Sequence, residues 1–341
     1  MKSLSAIAIS LILAVPTLSS AQTKLEPGKI SFQLFGDYYS VANHNTSSIE
    51  GKSGFWVRRI YVTYDQKLEN NLSAQFRIEA KDPGDFSTSS NMEPFIKDAW
   101  VRYTEPKFRA TFGLQPTPSF SPAETKLGYR PIEKTPLDLY RMNSSRDKGI
   151  SVDGKLDASG ATDYSLMIGD ASGTKSSNGE TRAFYGRIGH QLNSELGVDL
   201  YADFMDKDGG TEWSTSKAEI FYAGKKLKGG VMVANQHRKS TSSTYDLGVW
   251  SVYVESPVSE KASPFIRVDS LNHVIPDAGS IEFYKMSPDG KPTLVMVGVR
   301  FRVNNSLEVV PSFTSVSYRK VGSVAKPDSD GMFRVTVSLK Y

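Results

Sequence analysis

Apolar and polar residues alternate along most of this chain with a period of two. In LSAQFRIEAK, residues 72–81, every second residue from Leu72 is apolar and the residues between them are polar or charged. PTLVMVGVRFRV, residues 292–303, repeats the pattern, with valine and phenylalanine on one face and Arg300 and Arg302 on the other. Side chains of a strand point alternately to its two faces, so this period predicts strands with one apolar and one polar face.

The same alternation recurs along the chain in about sixteen segments of roughly ten residues. They lie at 30–41, 55–67, 72–81, 95–104, 108–115, 149–156, 162–169, 182–192, 196–205, 215–223, 229–238, 245–255, 264–270, 292–303, 307–319 and 333–341. Short connections such as LENN and EPK alternate with long loops rich in Ser, Gly, Asn, Asp and Pro. Short turns at one end and long loops at the other are typical of outer-membrane barrels.

Strand length and pairing lead to the same fold class. A tilted strand of about 9–11 residues crosses a bilayer, and every backbone group within the lipid must be hydrogen-bonded. A sheet of such strands must therefore close on itself. We predict an all-β fold, a transmembrane antiparallel β-barrel of about sixteen strands in contact with outer-membrane lipid.

The N-terminal residues and the composition place this barrel in an exported protein. Residues 1–21 combine Lys2, a short apolar run from Ala6 to Val15 and the small residues Ser19 to Ala21, which predicts a cleaved signal peptide. The barrel then comprises residues 22–341. The chain has no cysteine and a formal charge of +4 without a polybasic tract. Disulfides are therefore excluded, and nucleic acid is not an expected partner.

The last nine residues, FRVTVSLKY, form a strictly alternating strand that ends in Tyr341. We expect this strand to close the barrel against the first one, with Tyr341 in the aromatic belt at the membrane interface. The segment also resembles the C-terminal signature of outer-membrane barrels, which the barrel insertion machinery reads. That resemblance makes the insertion machinery an expected partner.

Three further segments resemble a known family. GFWVRRIYVTYDQKLENNLSAQFRIEAK is similar to the opening hairpin of the phosphate-selective porins O and P, which begins with Gly-Phe-x-x-Arg-Arg. IKDAWVRYTEPKFRATFGLQPTPSF resembles their next hairpin, and SSRDKGISVDGKL resembles the start of the strand that follows. The likeness is best over about residues 30–156. It implies a sixteen-stranded barrel of the porin superfamily, usually a homotrimer, with one loop folded into the pore.

Strand parity assigns the charged residues of the strands to the two faces. Arg59, Arg77, Arg300 and Arg302 have the parity of the lumen, and basic lumen positions slightly outnumber acidic ones. Arg58 has the opposite parity, so we expect it near the rim, where its long side chain could reach water. Arg59 is either part of a basic pore lining or an ordinary solvated lumen charge. Rings of such charges select ions.

The segment 116–148 is far longer than a connection between strands requires. It contains large apolar residues, five prolines and the basic residues Lys126, Arg130, Lys134 and Arg141. Apolar side chains at this density indicate that the segment packs against something. We predict a pore loop over residues 116–148 that folds inward, with these four cations at the pore; an ordinary external loop is the alternative.

The predicted function is a general diffusion porin of the bacterial outer membrane. It would pass small hydrophilic solutes or anions with a weak anion preference, phosphate among them. The alternatives are a non-channel structural or adhesive barrel and, less favoured, a barrel enzyme. The four histidines are scattered without metal-ligand spacing, and catalytic motifs are absent. We therefore expect no enzyme activity, no catalytic residues, no metal and no cofactor.

Overall fold

The computed structural model describes residues 26–87, 90–120, 123–176 and 179–341. Sixteen strands in this part of the chain form one closed antiparallel sheet in which each strand pairs with its neighbours in sequence, and β1 pairs with β16. The predicted fold class and strand number are confirmed. The predicted signal peptide, residues 1–21, lies outside the described residues.

The strands agree with the sixteen predicted segments to within a few residues at each end. They are β1 Lys29–Asn43, β2 Ser53–Lys67, β3 Leu72–Ala80, β4 Phe95–Thr104, β5 Phe108–Pro116, β6 Arg146–Lys155, β7 Thr162–Gly169, β8 Arg182–Gln191, β9 Leu196–Lys207, β10 Thr211–Ala223, β11 Lys228–Lys239, β12 Thr244–Glu255, β13 Ala262–Leu271, β14 Lys291–Arg302, β15 Leu307–Arg319 and β16 Asp330–Lys340. Among the described residues, no helix is long and apolar enough to cross a membrane.

The two faces of the wall differ as the alternation predicts. On β16, Phe333 and Val337 face outward and are exposed, whereas Arg334, Thr336 and Ser338 face inward and are buried. Exposed aromatic side chains mark the outer face near both ends of the barrel, as at a membrane interface. They include Tyr64, Tyr103, Tyr222 and Tyr341 at the end with short turns, and Phe55, Phe184, Phe204 and Phe333 at the other.

The connections separate into two classes by the end of the barrel. One end carries only short turns, such as 68–71, 105–107 and 192–195, and the other carries the long loops. Two connections at the long-loop end, 208–210 and 240–243, are short as well. The wall from β9 to β12 therefore carries no long loop at that end. By the usual orientation of such barrels, the short turns face the periplasm and the long loops face outward.

Two β-bulges change the predicted side-chain directions. In the β1–β2 register, Phe35 pairs with Arg59 and Gly36 with Val57, so Arg58 is an extra residue. A bulge lets two successive residues point to the same side, and both arginines are buried inside the barrel. The expectation that Arg58 lies outward at the rim is wrong. In β4 the extra residue is Lys97, which also points inward.

The long connection between β5 and β6 folds into the lumen, as predicted. We call residues 117–145 the inner loop; it contains the short helices α1 Ala123–Leu127 and α2 Pro136–Leu139. Its apolar side chains are buried against the wall, including Leu127, Tyr129, Ile132, Leu137 and Tyr140. Burying these side chains supplies the hydrophobic free energy that holds the loop inside.

A second loop also packs inward, which the sequence analysis did not predict. We call residues 272–290, between β13 and β14, the cap loop. Ile275, Ile281, Phe283 and Met286 are buried in the same apolar cluster as the inner loop. Phe283 contacts Trp56 of β2, with 5.0 Å between ring centroids. The cap loop therefore covers one side of the outer mouth.

Candidate functional site

Basic side chains of the wall hold the inner loop by its backbone carbonyls. Arg58 donates to the carbonyl of Pro131 at 2.6 Å, and Arg334 donates to that of Ile132 at 2.7 Å. Four other wall cations make the same kind of contact: Arg267 to Lys134 O, Arg300 to Gly128 O, Arg238 to Arg141 O and Lys217 to Ser119 O. Hydrogen bonds with a charged donor are stronger than neutral ones, so these contacts fix the loop geometry.

Glu133 of the inner loop is the carboxylate at the centre of this attachment. It accepts hydrogen bonds from Arg334 at 3.0 Å, from the Tyr284 hydroxyl at 2.6 Å and from the Lys134 N–H at 2.8 Å. Burial alone would raise the pKa of Glu133, but the guanidiniums of Arg334 and Arg58 and these hydrogen bonds lower it below its ordinary value. Glu133 therefore remains charged and joins the inner loop, the cap loop and β16.

We expect Glu133→Gln to destabilise the protein by about 3–5 kcal/mol, because it leaves the buried guanidinium of Arg334 without its carboxylate. Since folding lowers the pKa of Glu133, this stabilisation is present above the pKa in the unfolded chain and is lost as pH falls through the folded value. Urea unfolding in lipid vesicles at neutral and acidic pH measures both effects. The control, Glu308→Gln, breaks a 3.9 Å pair with half-exposed Arg302 and should cost less than about 1 kcal/mol. Equal losses would contradict the assignment.

The space that the two loops leave inside the barrel includes two large cavities. The outer cavity, about 960 Å³, lies between the inner loop, the cap loop and strands β2–β4 and β8–β10. The inner cavity, about 550 Å³, opens at the short-turn end and is lined mainly by β4–β8. Lysine and arginine outnumber aspartate and glutamate by eight to five in the first lining and by five to three in the second.

The two cavities share no lining residue. Asp98 on β4 lies between Lys97, which lines the outer cavity, and Arg102, which lines the inner one. Its buried carboxylate pairs with Arg77 at 3.0 Å and also with Arg146. This three-residue bridge lies on the wall near the border between the linings of the two cavities.

The structure places the four predicted cations of the inner loop differently from one another. Lys134 and Arg141 line the outer cavity, where they pair with Glu282 at 3.2 Å and with Asp277 at 2.7 Å. Arg130 pairs with carboxylates of the same loop. Lys126 is exposed on α1 but lines neither cavity. Three of the four charges are thus largely compensated by neighbouring carboxylates.

The predicted cations of the strands also lie in different environments. Arg59 lines the outer cavity, and Arg77 belongs to the Asp98 bridge. Arg300 is buried beneath the inner loop, pairs with Glu255 at 3.3 Å and lines neither of the two cavities. Arg302 lies at the short-turn rim, where half of its side chain is exposed. Strand parity predicts which side chains point inward. It does not distinguish those that lie under the inner loop from those that line a cavity.

Two cavity residues were missed because their signals are indirect. Lys97 pairs with Glu79 at 2.9 Å, but its inward direction depends on the bulge, which the alternation does not reveal. Glu282 was missed because the cap loop was not expected inside. The cap loop does carry a readable signal, since a long loop with several large apolar residues seldom stays in solvent.

The groups that a barrel enzyme would need are only partly present. His237 and Asp246 pair on the outer face at 2.9 Å, and Ser214 lies opposite His237 in the β10–β11 register. No hydrogen bond joins Ser214 to His237 among the described residues, although a serine nucleophile requires one. In the same part of the chain, no group of three or more His, Cys, Asp or Glu residues could hold a metal ion.

Comparison with known proteins by sequence finds neither a protein-family model nor a curated protein that matches this chain. Comparison by structure finds barrels of the outer membrane. The anion-selective porin from Comamonas acidovorans superposes with a TM-score of 0.67 at 12% identity, over 92% of this chain and 99% of that one. The channel DcaP of Acinetobacter baumannii gives 0.64 at 9% identity, over 92% and 97%.

OmpT of Vibrio cholerae, an outer membrane protein solved in a trimer form, gives a TM-score of 0.61 at 13% identity, over 92% of this chain and 99% of that one. At such identities the similarity establishes the fold. Together with the closed sheet, the apolar outer face and the polar interior, it shows that this chain has the β-barrel fold of the outer-membrane porins.

Proposed function

We propose that the protein is a general diffusion porin that passes small hydrophilic solutes with a weak preference for anions. The observation that carries the proposal is a closed barrel whose two lumen cavities both have more basic than acidic lining residues. A sixteen-stranded barrel is wide enough for an aqueous channel. Low-dielectric walls increase the effect of an excess of one charge sign on ions in the lumen.

The ion pairs of the outer cavity are the reason for a weak preference. Of the residues predicted for selectivity, Arg59, Lys134 and Arg141 line this cavity, and each lies within 4.0 Å of a carboxylate. Paired cations attract a passing anion less than free ones, because the carboxylate cancels much of the field. Phosphate would pass as one small anion among others, without a dedicated site formed by these three residues.

The remaining features of the proposal concern export and assembly. Residues 1–21 would be removed as a signal peptide, and residues 22–341 would form the barrel. Strand β16 would be the segment that the insertion machinery binds, since it carries the alternating pattern that ends in Tyr341. A homotrimer is proposed because the resembling family is usually trimeric and the similar OmpT was solved as a trimer.

Planar-bilayer recording across a salt gradient tests the function. The wild-type protein should form open channels whose reversal potential indicates a weak anion preference. Replacing Arg59, Lys134 and Arg141 together with Gln should lower the anion-to-cation permeability ratio, most clearly at low salt, where screening is weak. Arg302→Gln, at the rim, is the control and should change the ratio little. Absence of channels in correctly folded protein would reject the porin function.

A further inference from the structure

On one side of the outer cavity, basic side chains have no carboxylate within ion-pair distance among the described residues. Trp213 on β10 points into the barrel at the mouth and lines this cavity. Two cations lie over its ring: Lys207 Nζ of β9 is 4.2 Å from the ring centroid, and Arg238 Cζ of β11 is 4.1 Å from it. Arg238 is the cross-strand partner of Trp213. A cation over an indole ring is attracted by the negative face of the ring.

Neither cation forms an ion pair with a carboxylate among the described residues. None of the ion pairs among the described residues includes Lys207 or Arg238, or Lys175 from the loop after β7. Arg238 is only 6% exposed and donates to neutral oxygens, those of Gln236 at 2.6 Å and the Arg141 carbonyl at 2.8 Å. Buried guanidiniums are normally paired with acids. A buried cation without one leaves a positive potential behind Trp213.

On the opposite side of the same cavity, the cations each have a carboxylate within ion-pair distance. Glu79 faces Arg59 and Lys97 there, and Glu282 binds Lys81 and Lys134. On the Trp213 side, where Asp208 is an acidic lining residue, an entering anion meets ammonium groups that are not already held in an ion pair among the described residues and can bind it directly. Lys207 and Lys175 both line the cavity on that side and can donate to it.

The surface around these cations is partly apolar. Tyr185 and Met205 lie beside Trp213 in the cavity lining, and the Tyr185 hydroxyl is already bonded to Asp147 at 2.7 Å. These side chains offer hydrocarbon and ring surface, and they offer no free acid. A ligand that suits both features carries an oxyanion at one end and an apolar body at the other.

We propose that Lys207, Lys175 and Trp213, backed by Arg238, form a binding site for small organic carboxylates at the outer mouth. The two ammonium groups bind the carboxylate, and the apolar body of the ligand lies against Trp213 and Met205. The inference deepens the proposed porin function and rests on it, since the solute must enter from outside. It assigns capture of the solute to the β9–β11 wall, apart from the ion-paired cations of the inner loop.

Benzoate binding to the folded protein in detergent tests this site, measured by saturation-transfer NMR at low salt. Lys207→Gln should weaken binding about tenfold, as expected for one lost hydrogen bond from a charged donor. Trp213→Ala should weaken benzoate binding but leave acetate binding nearly unchanged. The matched control is Lys155→Gln, which removes the same charge from the inner cavity and should have no effect.

Several outcomes would overturn the inference. The first is that benzoate does not bind, and the second is that Lys207→Gln binds it as the wild type does. The third is an equal loss of affinity in both Gln variants, which would indicate a net-charge effect. Phosphate that competes as well as benzoate would overturn the organic-carboxylate assignment in favour of a simple oxyanion site. Bilayer recordings on the same preparation separate the two proposals, because channels without benzoate binding remove the site and leave the porin function.

Discussion

Replacing the inner loop, residues 117–145, by an Asn-Gly turn should raise the single-channel conductance several-fold. The replacement is geometrically simple because Pro116 and Arg146 are direct partners across β5 and β6, and Asn-Gly closes a two-residue hairpin. The loop fills the lumen between the wall and the two cavities, with Leu127, Leu137 and Tyr140 almost fully buried. Removing this packed volume opens a wider water-filled path. Planar-bilayer recording measures the change.

The matched control shortens an external loop instead. Residues 322–326, between β15 and β16, are all exposed, so deleting them should leave the conductance unchanged. Heat-modifiable mobility on gels reports whether each variant forms a closed barrel. If the loop replacement does not fold, Tyr129→Ala with Leu137→Ala keeps the loop but loosens its packing, and should increase current fluctuations. Wild-type conductance in a folded replacement variant would show that the inner loop does not limit the channel.

The regular part of the fold was predictable from the sequence because each strand has one face in lipid and one in a polar lumen. That difference imposes a period of two, which is read directly from segments such as 72–81 and 333–341. The inner loop was predictable for another reason. A long connection with many large apolar residues and prolines must bury them, and the barrel interior is the available place.

The bulges at Arg58 and Lys97 were not predictable from the alternation. A bulge adds one residue, and the alternation before it and after it stays regular. Two successive charged residues are therefore predicted to point one inward and one outward, even where a bulge turns both inward. In the structure, Arg58 pairs with Asp37 and Lys97 pairs with Glu79, both inside the barrel. At each bulge, the additional inward residue is therefore stabilised by an acid on a neighbouring strand.

Whether an inward residue meets water or protein depends on the loops, which strand parity does not describe. Arg300 and Arg334 have the parity of the lumen, and both are buried beneath the inner loop. Several wall cations therefore hold the loop and do not contribute a free charge to the channel. The cations at Trp213 differ from them in having no carboxylate within ion-pair distance among the described residues, a difference that depends on tertiary contacts and not on strand parity.

Val337→Arg should lower the free energy of unfolding by about 2–4 kcal/mol, the cost of placing arginine against lipid near the midplane of a barrel. Val337 faces outward on β16, midway along the strand between the interface aromatics Phe333 and Tyr341. Thr104→Arg is the control, since Thr104 is exposed and lines the inner cavity; a surface substitution of this kind costs about 0.5 kcal/mol or less. Urea unfolding in lipid vesicles measures both variants.

A third variant separates lipid exposure from crowding. Ser338 faces inward but is only 5% exposed, so Ser338→Arg should also destabilise the barrel, by overpacking at a cost of about 1–3 kcal/mol. The penalty of a lipid-facing arginine depends on its depth in the bilayer. In vesicles of shorter acyl chains, the loss for Val337→Arg should therefore shrink while the loss for Ser338→Arg stays constant. Equal losses for Val337→Arg and Thr104→Arg, or the same thickness dependence at Val337 and Ser338, would reject the register in which Val337 faces lipid.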